Sequence, residues 1–122
     1  MAIKRIEFAI HTEKMAESKK FYCDHFGFEL VFEDEWFIEL SSPILSVAIS
    51  FVRPQREAGE IFSGHGLVIC FRVDDVESEY QRLKEAGLEF QQGLQNKTWG
   101  ERSCVIHDPN GIHIYLYQPA VK

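Results

Sequence analysis

Apolar and polar residues alternate with a period of two over several short stretches of the chain, which is the pattern of β-strands with one buried face. "IEFAIH" (6–11) and "GLVICFRV" (66–73) are the first such stretches in the two halves of the chain. Each is followed by a segment with apolar residues at helical spacing, "KMAESKKFYCDHF" and "DDVESEYQRLKEA", which ends before a glycine. Each half therefore begins with a predicted strand and a predicted helix, and Asp74 or Asp75 is the predicted N-cap of the second helix.

The same order of elements occurs twice. "GFEL" begins at residue 27 and the nearly identical "GLEF" at residue 87, and further strand patterns follow each of them, whereas residues 91–100 are interpreted as a loop. A polar segment with glycine and proline, "RPQREAGEIFSGHG", separates the two halves. The sequence predicts an α+β fold of two tandem β-α-β-β-β modules, about 1–53 and about 66–120, joined by a linker of about 54–65 within one domain of 122 residues.

The last predicted strand has two chemically different faces. Before it, Pro109 presets the backbone and Asn110-Gly111 tolerate positive φ, so "DPNG" predicts a tight turn. One face of the strand after the turn is apolar, and the other carries rings with polar atoms, so the second face suits a pocket or water. The apolar face has Ile112, Ile114 and Leu116, and the other face has His113, Tyr115 and Tyr117.

Charge and composition exclude several kinds of partner. Thirteen basic and nineteen acidic residues give a net charge of −6 without any run of lysine or arginine, which argues against nucleic acid and anionic membrane surfaces. No apolar stretch is long enough to span a bilayer, and the N-terminal "MAIKRIEFAI" lacks the features of a signal peptide. We therefore predict a cytoplasmic protein.

The three cysteines predict neither a disulfide framework nor a thiolate zinc site. Cys23, Cys70 and Cys104 are widely spaced and form no C-x-x-C pair. They are predicted to be small buried apolar residues.

The paired modules resemble the vicinal oxygen chelate superfamily, which includes glyoxalase I, extradiol dioxygenases, fosfomycin-modifying enzymes and bleomycin-resistance proteins. "ESKKFYCDHFGFEL", "VDDVESEYQRLKEAG" and "DPNGIHIYLYQ" carry the resemblance. It implies that the modules form a half-open barrel with an inward-facing cleft. The Trp-Gly pair in "NKTWGERS" is similar to the bleomycin-resistance branch, whose members hold a drug between two subunits without metal. This implies a homodimer and a small-molecule ligand.

Metal-dependent members of the superfamily hold a divalent ion with inward-facing residues of the first and last strands of each module. By resemblance these positions fall on Glu7, near Ser50, and on Val68 and Tyr115. Valine has no ligand atom, and a tyrosine with a reference pKa near ~10 is a poor ligand unless the metal ionises it. We therefore predict no cofactor, with a metal absent from this site.

A displaced divalent-metal site is the alternative. His65 lies three residues before Val68 and would need a β-bulge to turn inward. His11 and His113 share the inward parity. The simpler interpretation is that these histidines hydrogen-bond a ligand or water.

The inward face has the composition of a small-molecule site, with aromatic and apolar walls and a few polar groups. Glu7 favours a cationic group and Arg72 a carboxylate or phosphate, unless both are simply solvated. Trp99 is predicted either to stack on a planar ligand or to anchor its loop. The predicted ligand-binding residues are Glu7, His11, Ser50, Val68, Arg72, Trp99, Ser103, His113 and Tyr115.

Three functions are compatible with this face. The first is a metal-independent dimer that binds a partly aromatic small molecule. The second is a lyase- or isomerase-type enzyme in which Glu7, desolvated by Ala9 and Val68, is the catalytic general base and Tyr115 or His113 the proton donor. This enzyme would alternatively use the displaced metal site. The third is a structural protein whose cleft is filled by side chains.

Overall fold

The computed structural model describes residues 2–54 and 61–119, so residues 55–60 of the predicted linker lie outside the described residues. The chain divides into two compact units, Met1–Ser63 and Gly64–Lys122. Each has the predicted order β-α-β-β-β, which confirms the α+β fold class. The first unit contains β1 (Ile6–His11), α1 (Met15–Phe26), β2 (Glu29–Glu33), β3 (Phe37–Ser41) and β4 (Val47–Val52). The second contains β5 (Val68–Arg72), α2 (Val76–Glu85), β6 (Phe90–Asn96), β7 (Glu101–His107) and β8 (His113–Pro119).

In the first unit the strand order is β1-β4-β3-β2, with β1 and β4 parallel. The register places Ile10 opposite Phe51, and Phe51 opposite Ile38, on the side of the sheet that faces α1. Tyr22 of α1 is fully buried and stacks on Phe51 with ring centroids 5.6 Å apart. Gly27 ends the helix with φ of 69°, as predicted. The apolar alternation of the strands therefore builds one core under one helix.

The second unit repeats this arrangement with the strand order β5-β8-β7-β6. Asp75 is the N-cap of α2 and accepts a hydrogen bond from the Ser78 backbone N–H at 3.2 Å, while the Gln118 side chain accepts one from the Val76 N–H at 2.5 Å. β8 thus helps to fix the start of the helix. Val76 and Leu83 of α2 are fully buried, as are Cys104, Ile106 and Ile114 of the sheet beneath.

Two predictions need correction. β6 occupies residues that were interpreted as a loop, since "FQQGLQN" lacks apolar alternation. It lies at the edge of its sheet, where polar residues cost little. Cys104 is buried as predicted, but Cys70 is exposed and Cys23 is only partly buried. Cys70 lies on β5, the other edge strand, and points away from the helix-covered core.

The turn before β8 is held by one buried carboxylate. The Asp108 Oδ1 atom accepts hydrogen bonds from the backbone N–H groups of Asn110 and Ile112, both at 2.8 Å. Gly111 has φ of 85°, which a residue with a side chain rarely adopts. The turn sets the register in which β8 begins at His113. In the part of the chain that the structure describes, no helix is long and apolar enough to cross a bilayer.

Candidate ligand-binding site

The second unit has a sheet face that bears no helix, called here the open face. Directly paired residues of neighbouring strands point to the same side of a sheet. Val68 pairs with His113, Cys70 with Tyr115 and Arg72 with Tyr117. Tyr117 also pairs with Ser103, and Tyr115 with Val105. The predicted site residues Val68, Arg72, Ser103, His113 and Tyr115 therefore share the open face.

A groove of about 410 Å³ lies on this face. Of the predicted ligand-binding residues, Val68, Trp99 and Tyr115 line it, whereas Arg72, Ser103 and His113 share the face without lining the groove. The remaining lining residues are Cys70, Glu101 and Tyr117. Cys70 and Tyr117 follow from strand parity, but Glu101 was missed.

Glu101 organises the polar end of the groove. Its Oε1 atom accepts hydrogen bonds from the Tyr115 hydroxyl at 2.9 Å and from Trp99 Nε1 at 2.8 Å. Trp99 follows β6 in the β6–β7 turn, and its side chain is exposed, with a relative exposure of 66%. Lys97 Nζ lies 5.7 Å from the centroid of the indole ring. The indole is therefore oriented by a hydrogen bond while much of its surface stays available for contact.

Tyr115 is a hydrogen-bond donor in this arrangement. Burial raises the pKa of its phenol above the ordinary value, and the hydrogen bond to Glu101 raises the pKa further. After burial, Ser103 has the next largest effect and lowers the pKa, as Trp99 does to a smaller extent, but the net direction is upward. Ser103 Oγ makes no hydrogen bond of normal geometry within the described residues. The phenol stays protonated at neutral pH.

The open face also carries a pair of histidines. His107 on β7 pairs with His113 on β8, and their ring centroids are 4.3 Å apart. Burial and the neighbouring His113 lower the pKa of His107, against an opposing effect of Asp108. His107 is therefore neutral at pH 7. Its Nε2 atom is buried and has no hydrogen-bond partner among the described residues.

The first unit has an open face of its own. Glu7, Ala9 and His11 pair with Ala48, Ser50 and Val52, so the predicted residues Glu7, His11 and Ser50 lie on the side opposite α1. Ser50 is buried and His11 is exposed. Glu7 is half exposed, at 53%, and forms an ion pair with Arg5 at 3.4 Å. The solvent exposure and ion pair of Glu7 differ from the desolvated general base expected from the sequence.

The residues at the superfamily's metal positions do not fit a divalent ion. Val68 has no donor atom, and the Tyr115 phenol donates its proton to Glu101 and has a raised pKa, so ionising it costs more than usual. Glu7 is already paired with Arg5. Among residues 2–54 and 61–119, no three His, Cys, Asp or Glu side chains converge in a metal-binding arrangement. His65 lies in an exposed turn ahead of β5.

The exposed thiol in the groove yields a first test. Iodoacetamide is expected to modify Cys70 fastest, because burial raises the pKa of Cys104 to about 11 and also raises the pKa of Cys23. At pH 8 the thiolate population of Cys104 is more than about 100-fold below that of an ordinary cysteine. Peptide mass spectrometry measures the three rates, with Cys70→Ser as the control that removes the fast site. Comparable rates for Cys104 and Cys70 would contradict the placement of β5 at the sheet edge.

Several solved structures share this fold. TnmS3, an antibiotic binding protein from Streptomyces sp. CB03234, is 27% identical with a TM-score of 0.76, covering 98% of this chain and 99% of that chain. A lactoylglutathione lyase from Agrobacterium tumefaciens is 19% identical with a TM-score of 0.74, and the match covers 96% of this chain and 92% of that chain. At that identity the likeness concerns the fold alone.

The sequence also matches curated proteins. An uncharacterized protein of Mycobacterium bovis is 38% identical over 56 residues, which are 46% of this chain and 37% of that protein. The match therefore spans about a third of the length of such relatives. The family model of the Glyoxalase/Bleomycin resistance protein/Dioxygenase superfamily matches residues 4–116. The chain therefore belongs to the Glyoxalase/Bleomycin resistance protein/Dioxygenase superfamily.

Proposed function

We propose that this protein binds a partly aromatic small molecule on the open face of the second unit, without a metal at the superfamily's usual position. Trp99 supports this function most strongly, because Glu101 holds its exposed indole in a fixed orientation at the edge of a groove. Exposed aromatic surface that is already ordered loses little conformational entropy when a ligand covers it. Such a surface suits a planar ring system.

The rest of the groove supplies complementary chemistry. Tyr115 and Tyr117, whose ring centroids are 5.7 Å apart, provide further aromatic surface, and Val68 adds apolar area. Glu101 offers a carboxylate to a hydrogen-bond donor of the ligand. Apolar walls with a few fixed polar groups are the usual composition of a small-molecule site. The likeness to an antibiotic binding protein over nearly the whole chain supports the same conclusion.

The alternative enzymatic function has less support. A general base is most effective when its carboxylate is desolvated, whereas Glu7 is half exposed and paired with Arg5. Glu7→Gln separates the two functions, because it abolishes turnover only if Glu7 is the base. A lyase- or isomerase-type activity remains a prediction from the sequence.

Intrinsic fluorescence tests the binding function directly. Trp36, in the first unit, is the other tryptophan of the chain, so Trp36→Phe leaves Trp99 as the only indole reporter. Titration of this variant with a panel of planar aromatic compounds, antibiotics included, is expected to quench Trp99 saturably with at least one member. The matched Trp99→Phe variant, which reports from Trp36 alone, is expected to show no saturable quenching. Failure of every compound to quench Trp99 would overturn the proposal.

We also infer a homodimer, as the resemblance implies. In the first unit the β1 side chains Ile6 and Phe8 are 51% and 48% exposed, which is apolar area that a partner surface would cover. Light scattering on the samples used for fluorescence gives the mass and decides between monomer and dimer. Cytoplasmic location and the absence of nucleic-acid and membrane partners remain predictions.

A further inference from the structure

One guanidinium joins two carboxylates at the open face of the first unit. Arg5 Nη2 lies 2.7 Å from Glu39 Oε2, and Arg5 Nη1 lies 3.4 Å from Glu7 Oε1. Glu7 faces this side from β1, and Glu39 faces it from β3, paired with the buried Ser50 of β4. Because β4 separates the two carboxylate-bearing strands, Arg5 reaches across the sheet to bridge them.

Glu39 is the member of this cluster that needs a cation. Its side chain is only 17% exposed, against 53% for Glu7 and 42% for Arg5. A carboxylate that has lost most of its water is stable in its charged form only with a cation or strong hydrogen-bond donors beside it. Arg5 supplies both in one group, since the guanidinium donates a charge-assisted hydrogen bond to Glu39.

We infer that Arg5 is an internal counter-ion that takes the electrostatic place of a divalent cation on this face and thereby excludes one. A guanidinium is charged at every physiological pH, so its compensation of the two carboxylates is permanent. A hydrogen bond from Arg5 to Glu39 raises the pKa of the guanidinium still further. A divalent ion bound to the same oxygens would have to displace Arg5 and leave it without its partners.

Glu7 is the one good metal ligand at the superfamily's metal positions, and Arg5 gives it a role that needs no metal. Glu7 keeps its carboxylate, but the charge of that carboxylate is compensated by Arg5, which directly precedes β1. Arg5 also gives a role to Glu39, which no sequence pattern marked. This role of Arg5 concerns the first unit and does not depend on ligand binding at Trp99.

Removing the guanidinium should create a cation site. Arg5→Gln leaves Glu7 and Glu39 without their counter-ion, and hard carboxylate oxygens favour Mn²⁺. We expect Arg5→Gln to bind one Mn²⁺ per chain at least about tenfold more tightly than the unsubstituted protein. Water-proton relaxation measures the affinity, and Mn²⁺ should raise the melting temperature of this variant alone. The matched control is Lys4→Gln, which removes the same charge from the neighbouring position.

Each outcome of these Mn²⁺ measurements either supports or contradicts a metal-excluding role for Arg5. Loss of the gained Mn²⁺ binding in the double variant Arg5→Gln/Glu39→Gln supports the inference. Equal Mn²⁺ affinity in Lys4→Gln and Arg5→Gln would mean that net charge alone is responsible, and no gain in Arg5→Gln would mean that Arg5 excludes nothing. If Arg5→Gln does not fold, Arg5→Met keeps the apolar stem of the side chain without its charge and should bind Mn²⁺ more tightly than the unsubstituted protein. Unchanged affinity in Arg5→Met would then overturn the inference.

Discussion

Replacing Gly64 with alanine is expected to destabilise the second unit by about 3 kcal/mol or more, the sum of a steric clash and a strained backbone. A Cβ atom there would lie 2.5 Å from the Asn110 carbonyl oxygen and 2.5 Å from the Gly111 carbonyl carbon. Both are backbone atoms, so neither can move aside as a side chain would. The Asp108 carboxylate holds the same turn, and any shift would disturb its hydrogen bonds to Asn110 and Ile112.

Gly66→Ala is the matched control for this substitution. Gly66 has φ of +83°, close to the +87° of Gly64, but a Cβ atom there would meet nothing within 4 Å. Gly66→Ala should therefore cost only the backbone strain, about 1–2 kcal/mol. Urea unfolding followed by circular dichroism gives both free energies of unfolding. Equal costs for the two variants would contradict the close packing of Gly64 on the turn before β8.

Trp99→Ala is expected to weaken binding of the planar compound identified by fluorescence at least about tenfold, because it removes the stacking surface and its apolar area. Stability should change little, since the indole is 66% exposed. Tyr115→Phe keeps the ring but removes the hydroxyl that donates to Glu101, so a smaller loss is expected. Calorimetry measures the affinities, and Trp36→Ala in the first unit is the control. An unchanged affinity in Trp99→Ala would place the ligand elsewhere.

Much of the fold could be predicted because its signals are local. Strand alternation is set by the period of two, and Gly27 ends the first helix through its left-handed backbone. The parity of "IHIYLYQ" was enough to place Tyr115 on the open face, since pairing with Cys70 and Val105 keeps that parity across three strands. Residues within strands that alternate apolar and polar positions are therefore predictable from sequence.

The polar end of the groove was not predictable in the same way. Glu101 is the first residue of β7, after a turn, and its hydrogen bonds to Trp99 and Tyr115 depend on how the turn places the indole. β6 was missed because its polar residues show no alternation, and its pairing with β7 contains two register irregularities. Turn geometry and bulges depend on interactions that single-sequence periodicity does not contain.

The contacts of Arg5 in the first unit could not be predicted from the sequence either. Arg5 precedes β1, so no strand or helix pattern directs its side chain. Its contact with Glu39 joins residues 34 positions apart in the chain. Only the register of β3 against β4, and of β4 against β1, brings Glu39 to the face that Glu7 occupies.

Mapping the bound compound by ¹H–¹⁵N NMR shows whether it lies in the groove on the open face of the second unit. The planar compound that quenches Trp99 most strongly is titrated into labelled protein, and shift changes are measured for every backbone amide and both indole N–H groups. We expect the largest changes at the Trp99 indole and at residues around the groove, namely Val68, Cys70, Glu101 and Tyr115. Largest changes around Glu7 and Ser50, with the Trp99 indole unaffected, would contradict binding in this groove.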